Sequence, residues 1–283
     1  MSAIGNRADL HMHSTASDGT ETPANIVSLA KRAGLQAVAV TDHDTVAGIE
    51  EAMRAGERLQ VQVVPGVEIS TAKNGKDIHV LGYFIDYRSE PFLVRLEQLR
   101  KVREKRNSLI IDKLRQLGFQ ITMEDILESR NRALPAHESI GRPHIAEVLV
   151  RKGYVHSVRQ AFDLYLGKSG KAYVNLPRIL PEEAIAWIHD AGGAAVLAHP
   201  GLYKDDEMVR QLISAGLDGI EVYHSDHTRQ DEQKYKEMAE RYHLIGTGGS
   251  DFHGERNGAA FHGPIGARTV DCLVIRQLQE KGK

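Results

Sequence analysis

The sequence predicts an α/β fold: a TIM-like barrel of about seven βα units, (β/α)7, interrupted by a mainly helical insert. Short apolar runs ending on polar or charged residues alternate with amphipathic helical stretches up to about residue 90, the pattern of parallel βα units. The alternation resumes near residue 179 and runs to about residue 253. Between them lies a stretch with helical periodicity and little strand character, expected to form a cap. The expected boundaries are 1–90 and 179–283 for the barrel and 91–178 for the cap.

The first strand ends in Asp9-Leu10-His11-Met12-His13. Alternation along a strand turns Asp9, His11 and His13 to one face and Leu10 and Met12 to the other. A turn-rich loop with Asp18-Gly19-Thr20 follows. Thr22 then serves as N-cap and Pro23 as first residue of a helix that Gly34 closes. Leu35 to Val40 is an apolar strand ending in Thr41-Asp42-His43-Asp44-Thr45, and a helix over 46–59 comes next. Val61 to Val64 leads into Val67-Glu68-Ile69, a lone glutamate within an apolar run, and Ile78 to Phe84 is a fourth strand carrying His79. Each of these strands is expected to run parallel to the first.

From Glu90 to Gly118 the chain reads as one long charged helix, with Leu93, Leu96, Leu99, Val102, Leu109, Ile110, Leu114 and Leu117 at helical spacing. Shorter helices are expected near 122–129, 140–152 and 157–166. Pro181 then opens a helix closed by Gly192-Gly193, and Ala194 to Ala198 is a small-residue strand running into His199-Pro200-Gly201. A helix over 205–215, a strand over Gly219-Ile220-Glu221-Val222-Tyr223, a helix over 230–241 and a strand from Leu244 bring the chain to Ser250-Asp251-Phe252-His253.

Composition narrows the function. At 283 residues and 41% hydrophobic content the chain suits one large α/β domain or two smaller ones. With no apolar run of membrane-spanning length and a polar start, a cytoplasmic enzyme is expected, with no membrane association and no obligate protein partner. Cys272 is the single cysteine, so an internal disulfide and a cysteine-based zinc site are both excluded. Net charge is -2, but residues 91–178 hold 17 Lys+Arg against 9 Asp+Glu, or +8, leaving 19 against 29, or -10, for the rest. A basic insert over an acidic body suits a polyanionic substrate held between them.

The chemistry lies at the strand ends. His11, His13, His43, Glu68, His79, His199, Asp251 and His253 come from six of them, and Asp18 from the loop after the first. Imidazoles and carboxylates buried without partners cost kilocalories each, and divalent cations remove that cost. This donor set suits Mn, Fe or Zn rather than Ca.

In order, Asp-x-His-x-His, Thr-Asp-His, Val-Glu, Ile-His, Ala-His-Pro and Ser-Asp-x-His resemble the polymerase and histidinol phosphatase (PHP) family, on both sides of the insert. The resemblance implies a distorted seven-stranded barrel and two or three divalent metal ions. It places His11, His13, Glu68 and Asp251 on one ion; Glu68 as a bridge with His79 and His199 on a second; and Asp18, His43 and His253 on a third.

Within the family, Ile140-Gly141-Arg142-Pro143-His144, Lys171-Ala172-Tyr173 and the Gly219–Tyr223 strand with His227 after it resemble the branch of nucleoside 3′,5′-bisphosphate phosphatases and 5′-to-3′ exoribonucleases. That likeness implies a small anionic nucleotide substrate, with short 5′-phosphorylated RNA as a compatible one. Arg142, with its planar fork, is the expected phosphate clamp. His144, Lys171, Tyr173 and His227 are expected substrate contacts, His227 also as proton donor. Asp9 is expected to orient a ligand imidazole, and Asp42 likewise. A water between two such ions would be acidified from ~15.7 toward ~7 and attack phosphorus in line. Two other readings are a histidinol-phosphate phosphatase, for which the basic insert is superfluous, and a nucleic-acid-binding module with vestigial metal sites, for which the complete ligand set is superfluous.

Overall fold

Seven strands follow one another round a barrel in the computed structural model, which describes residues 6–129, 139–256, 259–260 and 262–282. They are β1 (Arg7–Asp9), β2 (Ala37–Val40), β3 (Gln62–Lys73), β4 (Lys76–Tyr83), β5 (Ala194–Leu197), β6 (Gly219–His224) and β7 (Ile245–Gly249). The amide of Leu10 donates to the carbonyl of Gly248 at 3.2 Å, and Met12 bridges Phe252 in parallel register, which brings β1 back against β7. A two-residue pair (β8, Glu255–Arg256; β9, Ala259–Ala260) stands apart, and β10 (Val270–Asp271) lies antiparallel to β1. The sequence reading did not anticipate β10, nor the carboxyl-terminal helix that follows it.

One expectation is overturned. Strands β1 to β3 are parallel, as are β5 to β7, but β4 runs antiparallel to both neighbours. The reason is the connection. Lys73 pairs with Lys76, so only Asn74 and Gly75 separate the strands, with φ of 52° and 71°. Two residues at positive φ make a type I′ hairpin turn, whereas a parallel crossover needs a dozen residues or more.

The helices outside the barrel obey local rules. In α1 (Pro23–Arg32) the Thr22 side chain accepts from the amide of Asn25, and Gly34 takes φ 74° just past the end. Helix α2 (Ile49–Leu59) buries Ile49, Ala52 and Ala55. The long α3 (Glu90–Gln116) joins two cores. Phe92, Leu96 and Leu99 pack with Ile185 and Ile188 against the barrel, while Ile110, Ile111 and Leu114 belong to a separate cluster drawn from residues 110–174. Leu93, Leu109 and Leu117, expected on the buried stripe, are exposed. That second cluster also draws on α4 (Met123–Ser129), α5 (Arg142–Arg151) and α6 (Val158–Ala161), which continues as a π-helical turn over Phe162–Leu166. The barrel is completed by α7 (Pro181–Asp190), α8 (Asp206–Ser214), α9 (Arg229–Tyr242) and α10 (Leu273–Lys281). No described helix is long and apolar enough to cross a membrane.

Candidate metal centre

The alternation at the end of β1 turns His11 and His13 inward, both fully buried. His43 follows β2, Glu68 lies within β3, and His79 lies near the start of the reversed β4, hence at the same end of the barrel. His199 follows β5, and Asp251 and His253 follow β7. The structure therefore brings together all nine side chains singled out from the sequence.

Glu68 stands at their centre. Its Oε2 lies 3.6 Å from His11 Nε2, 3.2 Å from His13 Nε2 and 2.8 Å from His43 Nδ1. Its Oε1 lies 2.8 Å from His79 Nδ1 and 3.1 Å from His199 Nε2. Asp251 Oδ1 is 3.3 Å from His11 Nε2 and 3.2 Å from His13 Nε2. Asp18 faces His253 Nε2 at 3.3 Å and His43 Nε2 at 3.8 Å. Ser14 and Ser17 shape the loop carrying Asp18, because both hydroxyls and the Ser14 amide donate to the carboxylate of Asp42. That is where the structure puts Asp42, rather than on an imidazole.

Several of these rings have their orientation and tautomer set from behind. His11 Nδ1 sits 2.9 Å from Glu221 Oε1, a carboxylate that can only accept, so Nε2 turns its lone pair into the pocket. His253 does the same by donating from Nδ1 to the carbonyl of Asp251. His224 Nδ1 accepts from the amide of Asp226, leaving Nε2 to donate to Asp251 Oδ2 at 3.2 Å. The backbone is held in uncommon conformations here: His199, Asp251 and Asp44 have φ of 29°, 53° and 55°. Such strain is tolerated where the surrounding contacts fix it.

Electrostatics shows what the pocket wants. Burial opposes charge on His13, yet the carboxylates of Asp251 and Glu68, each 3.2 Å from its Nε2, lift it to about 10. Burial also opposes charge on Asp18, Glu68 and Asp251, yet the surrounding imidazoles hold all three well below the usual carboxylate range. His199 and His253 go the other way, held down at about 4 chiefly by burial. The pocket thus concentrates negative charge facing imidazole lone pairs, and a cation would displace the protons it gathers. Among the described residues, His11 Nε2, His13 Nε2, His43 Nδ1 and Asp251 Oδ1 are buried and face their charged neighbours without the alignment of a good hydrogen bond. Buried polar atoms are rarely left so, and their convergence fits divalent metal ions.

Residues 9–247 match the PHP domain family. The chain belongs to the PHP family. Curated PHP relatives include a 5′-3′ exoribonuclease of Haemophilus influenzae, 38% identical over 87% of this chain and 89% of the relative. A 3′,5′-nucleoside bisphosphate phosphatase of Chromobacterium violaceum is 35% identical over 88% of each. A phosphoribosyl 1,2-cyclic phosphate 1,2-diphosphodiesterase of Eggerthella lenta is 35% identical over 87% of this chain and 94% of the relative. Among solved structures, a Bifidobacterium adolescentis protein assigned as a metal-dependent phosphoesterase superposes with a TM-score of 0.89 at 33% identity, covering 98% of this chain and 96% of its own. This PHP protein is a metal-dependent hydrolase of phosphoester bonds, and the binding-module alternative falls.

A cavity of about 320 Å³ opens over the PHP ligand cluster. Its roof is cationic: Arg103 and Arg106 of α3, Arg142 of α5 and Arg178 line it. Arg142 Nη2 donates to Asp77 at 2.7 Å, and Arg178 holds the other oxygen of that carboxylate. Arg103 grips Asp44, while Arg106, among the described residues, reaches only Asn107 Oδ1, at 3.0 and 3.3 Å.

Other expected contacts lie elsewhere. His144 Nδ1 accepts from the amide of Gly141 at the start of α5, and Lys171 is exposed; neither lines the cavity. Tyr173 stands under Arg142, whose guanidinium lies 5.9 Å from its ring centre. His227 has both ring nitrogens on backbone, accepting from Gly201 at 3.0 Å and donating to Val222 at 2.9 Å. It is a strut between β6 and the loop after His199, with no free proton to give. Asp9 accepts from the amides of Ser250 and Gly266 and so fixes the approach to Asp251 rather than an imidazole. Glu221, which does hold His11, was missed, although a lone glutamate within Ile220-Glu221-Val222 is the same signal that picked out Glu68.

Proposed function

We propose that this enzyme hydrolyses a phosphoester on a ribose that carries a second, terminal phosphate. Nucleoside 3′,5′-bisphosphates are the principal substrates, and short 5′-phosphorylated RNA meets the same requirement. The observation that carries this is the arginine roof facing the ligand cluster across one cavity. Four guanidinium groups against the carboxylates of Asp44 and Asp77 leave +2. A terminal phosphomonoester above its second pKa of about 6 carries close to two negative charges. The names of the relatives agree in kind, since a bisphosphate, a phosphoribosyl cyclic phosphate and an RNA chain each carry more than one phosphate on ribose.

In this reading His11, His13, Glu68 and Asp251 hold one ion, Glu68 with His79 and His199 a second, and Asp18, His43 and His253 a third, with Mn, Fe or Zn suited to the donors. Bound there, such ions acidify water toward a pKa of about 7 and offset phosphate charge. The protein's own contribution is placement. Glu221 and the Asp251 carbonyl aim the ligand imidazoles, the arginines fix the distal phosphate, and Phe162 and Leu202 give the cavity an apolar edge for a base. Holding the distal phosphate lets its binding energy orient the reacting one.

The test is phosphate release from 3′,5′-bisphosphates, mononucleotides, histidinol phosphate, and oligoribonucleotides with 5′-phosphate or 5′-hydroxyl ends, with metal content measured on the same sample. The 3′,5′-bisphosphate should be hydrolysed far faster than histidinol phosphate, and the 5′-phosphorylated oligomer faster than its 5′-hydroxyl counterpart. Equal or inverted rates between the bisphosphate and histidinol phosphate would overturn the assignment.

A further inference from the structure

Asp44 is buried, has no place among the nine candidate ligands, and yet joins three parts of the molecule. Its Oδ1 accepts from the amide of Ser70 at 2.8 Å, and its amide donates to the carbonyl of Glu68 at 2.9 Å, both on β3. Its Oδ2 accepts from Arg103 Nε at 3.1 Å and Nη2 at 2.5 Å, and its carbonyl accepts from Arg100 Nη1 at 2.9 Å, both on α3. Arg103 Nη2 also reaches Ser70 Oγ at 2.6 Å. The residue before Asp44 is His43, which lies against both Glu68 and Asp18. Asp44 itself sits at φ 55°, a left-handed conformation that Asp and Asn accept more readily than most residues because their side chains bond locally.

The consequence is mechanical. The direction of His43 depends on a left-handed turn stabilised by an ion pair with the helix that carries the cavity roof. Conversely, Arg103 is held by Asp44 on its Nε edge and cannot swing freely toward an anion.

We infer that Asp44 is a positioning residue that locks α3 to the metal pocket through Arg103, setting the aim of His43 and of the arginine roof together. The inference rests on His43 being a metal ligand, so His43→Ala serves as its separate check.

The experiment uses the full-length metal-loaded enzyme and compares Asp44→Asn, Arg103→Lys, the double variant and His43→Ala. The readouts are metal retained after dialysis against a weak chelator, and kcat and KM with a nucleoside 3′,5′-bisphosphate. An asparagine keeps the left-handed turn and the acceptor for Ser70 but presents an amide to Arg103. A lysine keeps the charge of Arg103 but loses the two-pronged grip. Removing contacts that orient ligands costs about 10- to 100-fold in metal affinity. Asp44→Asn and Arg103→Lys should therefore each weaken retention by about tenfold or more. Each should lower kcat and, because the roof loses its aim with His43, raise KM for the bisphosphate by a few-fold, Arg106, Arg142 and Arg178 still lining the cavity. The double variant should be no worse than the worse single one, since the two act as one joint. Retention unchanged in Asp44→Asn while His43→Ala loses metal would overturn the inference, as would losses that multiply in the double variant. Unchanged retention in His43→Ala would instead remove the ligand reading on which it rests. Should Asp44→Asn fail to fold, Arg103→Lys decides the matter by the same readouts.

Discussion

Arg106 is the sharpest place to test the proposed reading, because folding alone has no use for its charge. It is 7% exposed, and among the described residues its guanidinium meets no carboxylate. Burial first, then the guanidiniums of Arg103, Arg142 and Arg178, push its pKa well below the usual arginine range. A charge kept under such conditions is explained if an anion arrives to meet it. Arg106→Met keeps the length of the side chain and removes the charge. Losing one partner of a buried, hydrogen-bonded charge pair costs about 2–4 kcal/mol in binding, or roughly 30- to 1000-fold in kcat/KM for the bisphosphate. A nucleoside monophosphate lacking the distal phosphate should lose less than about threefold. Stability should move the other way, because replacing an uncompensated buried charge by a packed apolar group gains about 1 kcal/mol or more, about 2 °C in Tm. Steady-state kinetics on the two substrates and a thermal scan suffice. Equal losses on both substrates, or a lower Tm, would refute the argument that Arg106 is held in readiness for the second phosphate.

Three further outcomes follow from the geometry. Glu221→Gln removes the carboxylate behind His11 and should weaken metal retention by about 10- to 100-fold; retention at the wild-type level would show that the backbone alone suffices to aim the ring. His227→Ala strands the buried Gly201 amide and Val222 carbonyl and should cost about 1–3 kcal/mol of stability with kcat changed only a few-fold. A hundredfold loss of kcat at unchanged Tm would restore His227 to the chemistry. Stripping metal with a chelator should lower Tm by about 10 °C and manganese should restore it, because an ion at 1,000 times its Kd stabilises the folded state by about 4 kcal/mol; identical unfolding with and without chelator would argue against the cluster as a metal centre.

How much was legible depended on whether a residue's task shows in its immediate neighbours. His-x-His at a strand end and Thr22-Pro23 with Gly34 are local patterns, and the structure places them as alternation and capping demand. The Asn74-Gly75 turn was equally local but was passed over, and with it the reversal of β4. The arginine roof was harder to see. On α3 the buried positions run Phe92, Leu96, Leu99, Arg100, Arg106, Asn107, Ile110, Ile111 and Leu114. The polar residues therefore occupy the very stripe that periodicity reserves for apolar ones. Read singly, Arg100 and Arg106 are solvated surface charges; read by their place in the stripe, they are buried. His227 misled for the opposite reason, since its partners are backbone atoms of two separate segments and leave no trace in sequence spacing.

The reversed strand also accounts for the insert. Because β4 starts at the pocket end, where His79 and Asp77 lie, it delivers the chain at Tyr83 to the opposite end of the barrel. A short connection from there could not reach the metal ligands. Helix α3 has 27 residues, about 40 Å at 1.5 Å per residue, enough to climb the barrel wall and rise beyond it. Its first turns bury Phe92, Leu96 and Leu99 against the barrel, its last bury Ile110 and Leu114 in the insert, and Arg100, Arg103 and Arg106 fall between. Arg103 and Arg106 are therefore at the rim because the helix crosses the rim there, and Asp44 meets Arg103 where it does. Shortening α3 by a full turn between Leu99 and Arg106 would keep both apolar faces nearly in phase but remove Arg103, the partner of Asp44, and draw Arg106 out of register with the ligand cluster. The barrel would still fold, and the distal phosphate would lose its cradle.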